Sequence, residues 1–337
     1  MDLLCRKFSR LTNRVVQQRF FIRTMSNTHI TDWSSKDGEF RRQVSSFRER
    51  ISPEHKYFQP EKDRYHLYVS YACPWAHRTL IVRKLKGLEN VIPVHVVGWL
   101  MGPDGWNFDK ENDSTGDPLY NSPYLRNLYF RADPNYNMRF TVPVLWDSKY
   151  NTIVNNESAE IIRMFNDAFN EVIEDEEKRV VDLYPSSLRT KIDELNDYFY
   201  DTVNNGVYKT GFATTAEAYE KNVRIVFQGL DRLEQVLKES KGPFLLGDHL
   251  TETDVRLYTT IVRFDPVYVQ HFKCNIGTIR HNYPHINQWL KRLYWKHPAF
   301  HETTEFKHIK CHYTQSHTQI NPLGITPLGP IPNVEYF

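Results

Sequence analysis

Residues 65–86 read YHLYVSYACPWAHRTLIVRKLK, with Cys73-Pro74 near the middle. The run from Tyr65 to Ser70 alternates, with Tyr65, Leu67 and Val69 on one side, which is the pattern of a strand. Pro74 is the residue that a first helical turn tolerates best, because the N–H it lacks would have no partner there. A helical run follows to about Lys86 and is stopped by Gly87. Val91 to Val97 is rich in β-branched residues and reads as a second strand. Strand, helix, strand is the opening of an α/β domain.

Cys73 would therefore cap a helix N-terminus, facing free backbone N–H groups and the positive end of the dipole. Such cysteines have their thiol pKa lowered, and the thiolate is the nucleophile of thiol exchange. The alternative is a structural cysteine that simply packs. In Cys73-Pro74-Trp75-Ala76 a dithiol site would need a second cysteine at position 76, and Ala76 excludes it. A resolving thiol must come from elsewhere, and free glutathione is the abundant intracellular candidate.

Three further features suit a small peptide thiol. Pro143 stands in the strand-like run Val142-Pro143-Val144-Leu145-Trp146-Asp147. A cis Val142–Pro143 bond would explain it and leave Val142 to pair with an extended ligand, whereas an edge-strand proline needs no ligand. Glu157-Ser158 opens a helix expected to reach about Phe169, where a helix N-terminus and a hydroxyl can bind a carboxylate and Glu157 an ammonium; plain capping is the competing role. Arg139 precedes the Pro143 run and could pair with a carboxylate or be solvated. Glutathione, with two carboxylates and one ammonium, fits these groups.

Around this centre the chain of 337 residues is long enough for two domains. A net charge of +2 gives no electrostatic case for nucleic acid. No run of about 18 apolar residues exists to span a membrane. Cys5, Cys73, Cys274 and Cys311 are few and widely spaced, the pattern of a reducing compartment. His271, Cys274 and His281, with Cys311-His312 beyond, match no strong metal signature, so no metal is expected. The first 25 residues carry six arginines and lysines, a single acid in Asp2, and apolar residues at roughly helical spacing. This reads as a mitochondrial presequence or a basic disordered tail; Met25 could instead start a cytoplasmic form.

The expected organisation is a targeting or disordered segment over 1–30 and a first domain with its N-terminal arm over 31–170. The acidic stretch Glu171 to Lys178 reads as a linker. A helical domain spans 184–312, and a proline-rich tail follows over 313–337. The clearest helix runs from Thr215 to Glu239, with Tyr219, Val223, Val226, Leu230, Leu233 and Leu237 on one stripe. Thr251-Glu252-Thr253-Asp254 is a capping box, and Pro284 opens another helix.

The stretch Tyr68 to Thr79 resembles the active-site segment of the Xi-class glutathione transferases, the glutathionyl-hydroquinone reductases, and in particular their fungal omega-like members. Arg139 to Asp147, Asn155 to Arg163, Asn204 to Phe212, Asp254 to Val269, His308 to His317 and Asn321 to Gly324 are similar as well. The resemblance covers roughly residues 38–330. It implies a thioredoxin-like α/β N-terminal domain followed by an all-helical glutathione-transferase C-terminal domain, and a homodimer. It also implies glutathione as co-substrate, Cys73 as the catalytic residue, and Trp106, Arg139, Val142, Glu157 and Ser158 as glutathione contacts. From its own surroundings Trp106 reads as a packing residue. Tyr208, Tyr268 and Tyr313 correspond to the tyrosines that line the hydroquinone pocket. The implied reaction is attack of Cys73 on the glutathione sulfur of a glutathionyl-hydroquinone, followed by resolution with a second glutathione. The alternatives are an omega-like thioltransferase or dehydroascorbate reductase, and a non-enzymatic interaction module.

Overall fold

The computed structural model describes Ser35 and residues 37–337. The expected presequence, Met25 and Cys5 lie outside the described residues. The opening unit consists of β1 (Tyr65–Val69), α1 (Pro74–Leu85) and β2 (Val94–Val96), and its two strands are parallel. After α2 (Arg126–Ala132), β3 (Val144–Asp147) and β4 (Thr152–Asn155) form the expected hairpin. The sheet order is β2-β1-β3-β4, with β3 antiparallel to both neighbours. β2 is shorter than the β-branched run that announces it. The N–H groups of Val91 and Ile92 both turn back to the Leu88 carbonyl, and Pro93 has no N–H for a ladder.

All five residues of β1 are buried, so its alternation does not mark a wet face. Both faces are covered, as is usual where a parallel pair is followed by helices. α1 packs with α3 (Ser158–Asp167), and α2 lies against β4. The expected linker is anchored rather than loose. It contains a short turn at Asn170–Val172 and α4 (Glu176–Arg179), with Ile173 buried. The buried Lys86 ammonium, just past α1, donates to Asn170 Oδ1 and to the carbonyls of Arg179 and Val181.

The helical domain begins with α5 (Arg189–Phe199), α6 (Gly206–Gly211) and α7 (Ala216–Glu239). It continues with α8 (Glu252–Arg263), α9 (Ile279–Asn282), α10 (Pro284–Lys296), α11 (Pro298–His301) and α12 (Phe306–Ser316). Thr215 caps α7 by accepting from the Ala218 N–H, and Val223, Val226, Leu230 and Leu233 are buried as the stripe requires. Every residue of α8 is buried. Its Asp254 carboxylate accepts from the Thr251 N–H, as a capping box should, and also from Leu245 N–H and the Trp289 indole. α8 packs on α1, so the helix behind Cys73 is braced by the centre of the second domain. α12 runs through Ser316, which places Tyr313 in the last helix and not in the tail. Its buried positions are His308, Ile309, His312, Tyr313, Thr314 and Ser316, most of them spaced three or four residues apart along one face.

The arm before β1 is extended but tied down. Arg48 bridges to Asn155 in antiparallel register, and the Glu49 N–H reaches the Val154 carbonyl. Nearer its start the arm crosses to the helical domain, where Phe40 is buried with its ring 6.2 Å from Tyr208 and 5.5 Å from Phe212.

Candidate active site

Cys73 stands at the N-cap of α1, in extended backbone, with Pro74 opening the helix. The turn before it is closed by Cys73 N–H to the Ser70 carbonyl. The thiol donates to the carbonyl of Val142 at 3.6 Å. The Val142–Pro143 bond is cis, as the sequence suggested. Val142 lies beyond the last ladder pair of β1 and β3, Tyr68 with Val144, so its main chain is outside the sheet.

Burial pushes the Cys73 thiol above its ordinary value. The backbone N–H groups of Ala76 and Trp75 and the guanidiniums of Arg263 and Arg42 pull it the other way. The helix terminus is present, then, but desolvation outweighs it. The expectation of a depressed thiol fails here for that reason.

Glu157 and Ser158 sit at the start of α3. The Glu157 carboxylate caps the helix through Ala159 N–H and also accepts from the Ser45 hydroxyl of the arm at 3.0 Å. Ser158 is buried, and its hydroxyl has no hydrogen-bond partner. A buried hydroxyl without a partner is costly, and at a helix N-terminus it is aimed where an anion binds. This orphan fits a carboxylate of glutathione.

The three tyrosines converge. Tyr313 Oη lies 2.6 Å from Tyr208 Oη and 3.1 Å from Tyr268 Oη. α6 supplies Tyr208, the π-helical turn Phe264–Tyr268 after α8 supplies Tyr268, and α12 supplies Tyr313. The Tyr208 ring lies 6.3 Å from that of Trp75, two residues after Cys73, which brings the cluster to the start of α1; burial and negative charge at Cys73 push Tyr208 up to about 12. Burial holds Tyr268 and Tyr313 well above the ordinary phenol value. All three are therefore neutral donors at physiological pH.

Trp106 is buried and stacks on His312 at 4.7 Å, and His312 in turn abuts the Tyr313 ring at 5.4 Å. Trp106 thus packs, through His312, onto the tyrosine wall. The Arg139 main chain receives a hydrogen bond from the Tyr136 hydroxyl and gives one to Gln43 of the arm. Among the described residues no group of three or more His, Cys, Asp or Glu side chains could hold a metal ion.

Sequence reasoning missed three participants. Arg42 of the arm lies 4.4 Å over the Trp75 ring and 5.0 Å over Tyr208, and its Nε donates to Asn205 Oδ1. Arg78 stacks on the same indole at 4.5 Å. Arg263 is the third. Nothing in the local sequence marks any of the three, since each is placed by a pairing between distant segments.

Comparison with known proteins places the chain. Residues 72–168 match the family described as glutathione S-transferase, N-terminal domain, and residues 216–292 match its C-terminal domain. The chain is 99% identical over 313 residues to glutathione S-transferase omega-like 2 of Schizosaccharomyces pombe, covering 93% of this chain and 100% of the relative. It is 53% identical to the Escherichia coli glutathionyl-hydroquinone reductase YqjG, covering 89% of this chain and 91% of that one. The crystal structure of the Xi glutathione transferase ECM4 from Saccharomyces cerevisiae in complex with glutathione superposes with a TM-score of 0.85 at 50% identity. That match covers 88% of this chain and 100% of the other.

Proposed function

The chain belongs to the Xi-class glutathione transferases, enzymes with glutathione as co-substrate, and we propose that it reduces glutathionyl-hydroquinones to hydroquinones through a Cys73–glutathione mixed disulfide. The observation that carries this reading is the meeting of three neutral phenol hydroxyls beside the cysteine. A phenol can hydrogen-bond a hydroquinone oxygen and face its ring.

In this reading the glutathione moiety lies along Val142, with a carboxylate at the N-terminus of α3 on Ser158. The aromatic ring lies against Tyr208, Tyr268 and Tyr313. The Cys73 thiolate attacks the glutathione sulfur. The sulfur–sulfur bond forms as the carbon–sulfur bond breaks, and the ring carbon keeps the electron pair and takes a proton. The hydroquinone leaves. A second glutathione thiolate then attacks the mixed disulfide, returning Cys73 as thiolate and releasing oxidised glutathione. Overall one aryl thioether and one free thiol give one disulfide and one hydroquinone: the two glutathione sulfurs are oxidised and the ring carbon is reduced.

The steady-state test supplies the protein with glutathionyl-menadiol and free glutathione and follows both products by chromatography. One oxidised glutathione per hydroquinone released is expected. A second reading, an omega-like thioltransferase or dehydroascorbate reductase, draws on the omega-like name of the S. pombe relative. It uses the same cysteine but gives the tyrosine cluster no task. Activity on dehydroascorbate without hydroquinone release would favour it. A homodimer, which the family resemblance implies, belongs to the same proposal; sedimentation analysis tests it.

A further inference from the structure

Arg263 is fully buried at the end of α8, and none of its partners is a carboxylate. Its Nη2 donates to the carbonyl of Tyr71 at 2.9 Å and its Nε to that of Ala72 at 3.0 Å. These are the two residues that lead into Cys73. Nη1 donates to the Thr259 carbonyl at 2.7 Å and to Nδ1 of His77 at 3.0 Å. His77 lies one turn after Cys73 on α1, and its backbone N–H bonds to the Cys73 carbonyl. With Nδ1 accepting, the His77 Nε2–H is left to donate to Thr303 Oγ1 at 2.9 Å. One guanidinium therefore holds the chain on both sides of the cysteine.

A buried cation without an anion is disfavoured unless something requires its charge. Three carbonyls and an imidazole satisfy the donors of Arg263 but do not neutralise it. Its field bears on Cys73, and on Tyr208, Tyr268 and Tyr313 as well. The anion that forms at this place during a thiol reaction is the Cys73 thiolate.

We propose that Arg263 is a positioning residue for the cysteine: its planar fork clamps the Tyr71–Ala72 turn and His77, and its charge is the buried counter-ion of the Cys73 thiolate. The proposal rests on Cys73 being the nucleophile, but it needs no particular substrate. Lysine could keep the charge but not the fork, since a single ammonium cannot span both carbonyls and the imidazole. Arg42 is the other cation near the sulfur. It comes from the half-exposed arm, where salt screens it, whereas Arg263 is out of reach of salt. Negative charge at Cys73 bears in turn on Tyr208, while His77 and Arg78 follow the cysteine on α1.

The test is the pH dependence of Cys73 alkylation by iodoacetamide, read at that cysteine by peptide mass spectrometry, in 0.5 M salt so that Arg42 is screened. The full-length wild type, Arg263→Gln and Arg263→Lys are compared. The account expects the glutamine variant to shift the alkylation midpoint upward by at least one pH unit, with Cys73 modified at least about tenfold more slowly at pH 7. The lysine variant should recover most of that shift. If the glutamine variant does not fold, the lysine variant decides. A midpoint near wild type with slower glutathione-dependent turnover supports the two-part role, and a midpoint displaced by a full unit overturns it. A folded glutamine variant with an unchanged profile also overturns it. Either result stands apart from whether the enzyme accepts glutathionyl-hydroquinones, because alkylation uses none.

Discussion

The Tyr313 hydroxyl lies 2.6 Å from the Tyr208 hydroxyl, which joins the last helix to α6 across the site. Tyr313 also reaches Tyr268, so it is the hub of the three phenols. Tyr313→Phe removes both bonds at once and leaves two buried hydroxyls short of a partner. A loss of about 1–3 kcal/mol in transition-state binding follows, roughly 5- to 150-fold in hydroquinone release. Alkylation of Cys73 should change little. Turnover equal to wild type would remove the tyrosines from the reaction.

Ser158→Ala separates binding from stability. The hydroxyl is buried with no partner in the protein, so its removal should not destabilise the fold and should raise unfolding free energy by about 1 kcal/mol. Glutathione affinity should weaken by about tenfold, the worth of one hydrogen bond to a charged group. Calorimetric titration with glutathione and a denaturant curve check the two halves.

The fold should be acid-labile well above the carboxylate range. Burial lowers His271 to about 3, and His312 and His95 to about 4. Unfolded, each titrates near 6.5, so between these values the unfolded chain binds more protons and stability falls as pH falls. The slope is about 1.4 kcal/mol per pH unit for each imidazole, beginning near pH 6.5. His271→Gln should flatten the decline. Melting temperatures from pH 7 to 5 measure it, and a flat curve over that range contradicts the expectation.

Asp147 at the end of β3 is fully buried and pairs in two places with the buried Arg64, at 2.6 Å and 3.1 Å. It also receives the Lys149 N–H that turns the hairpin. Asp147→Ala leaves the buried guanidinium with only the half-exposed Glu61 at 3.3 Å as a counter-charge and should cost about 3 kcal/mol in urea unfolding. Replacing the exposed Asp37, which pairs with Arg41, should leave the urea midpoint nearly unchanged.

Much of this was legible in the chain because it is local. Cys73 with Pro74, the strand on either side, the capping box at Thr251 and the stripe of α7 are read within a turn or two. The cis Val142–Pro143 bond announces itself as a proline where a strand residue is wanted. The tyrosine cluster was reachable only through resemblance, since Tyr208, Tyr268 and Tyr313 are separated by long stretches and nothing near each one sets it apart. Arg42, Arg263 and the stacking of Trp106 on His312 were not legible at all. Each depends on a pairing between distant segments, which neither spacing nor composition records. The thiol of Cys73 departs from its expected direction because burial in the folded chain, which the local sequence does not record, outweighs the helix terminus.

The central claim is that Cys73 takes glutathione from the substrate. A single turnover with glutathionyl-menadiol and no free glutathione tests it most directly, with the intact protein and its peptides weighed afterwards. The account predicts one glutathionyl group on Cys73, one equivalent of hydroquinone released, and reversal by added glutathione. Hydroquinone released with Cys73 unmodified, or from Cys73→Ser at the wild-type rate, would contradict it.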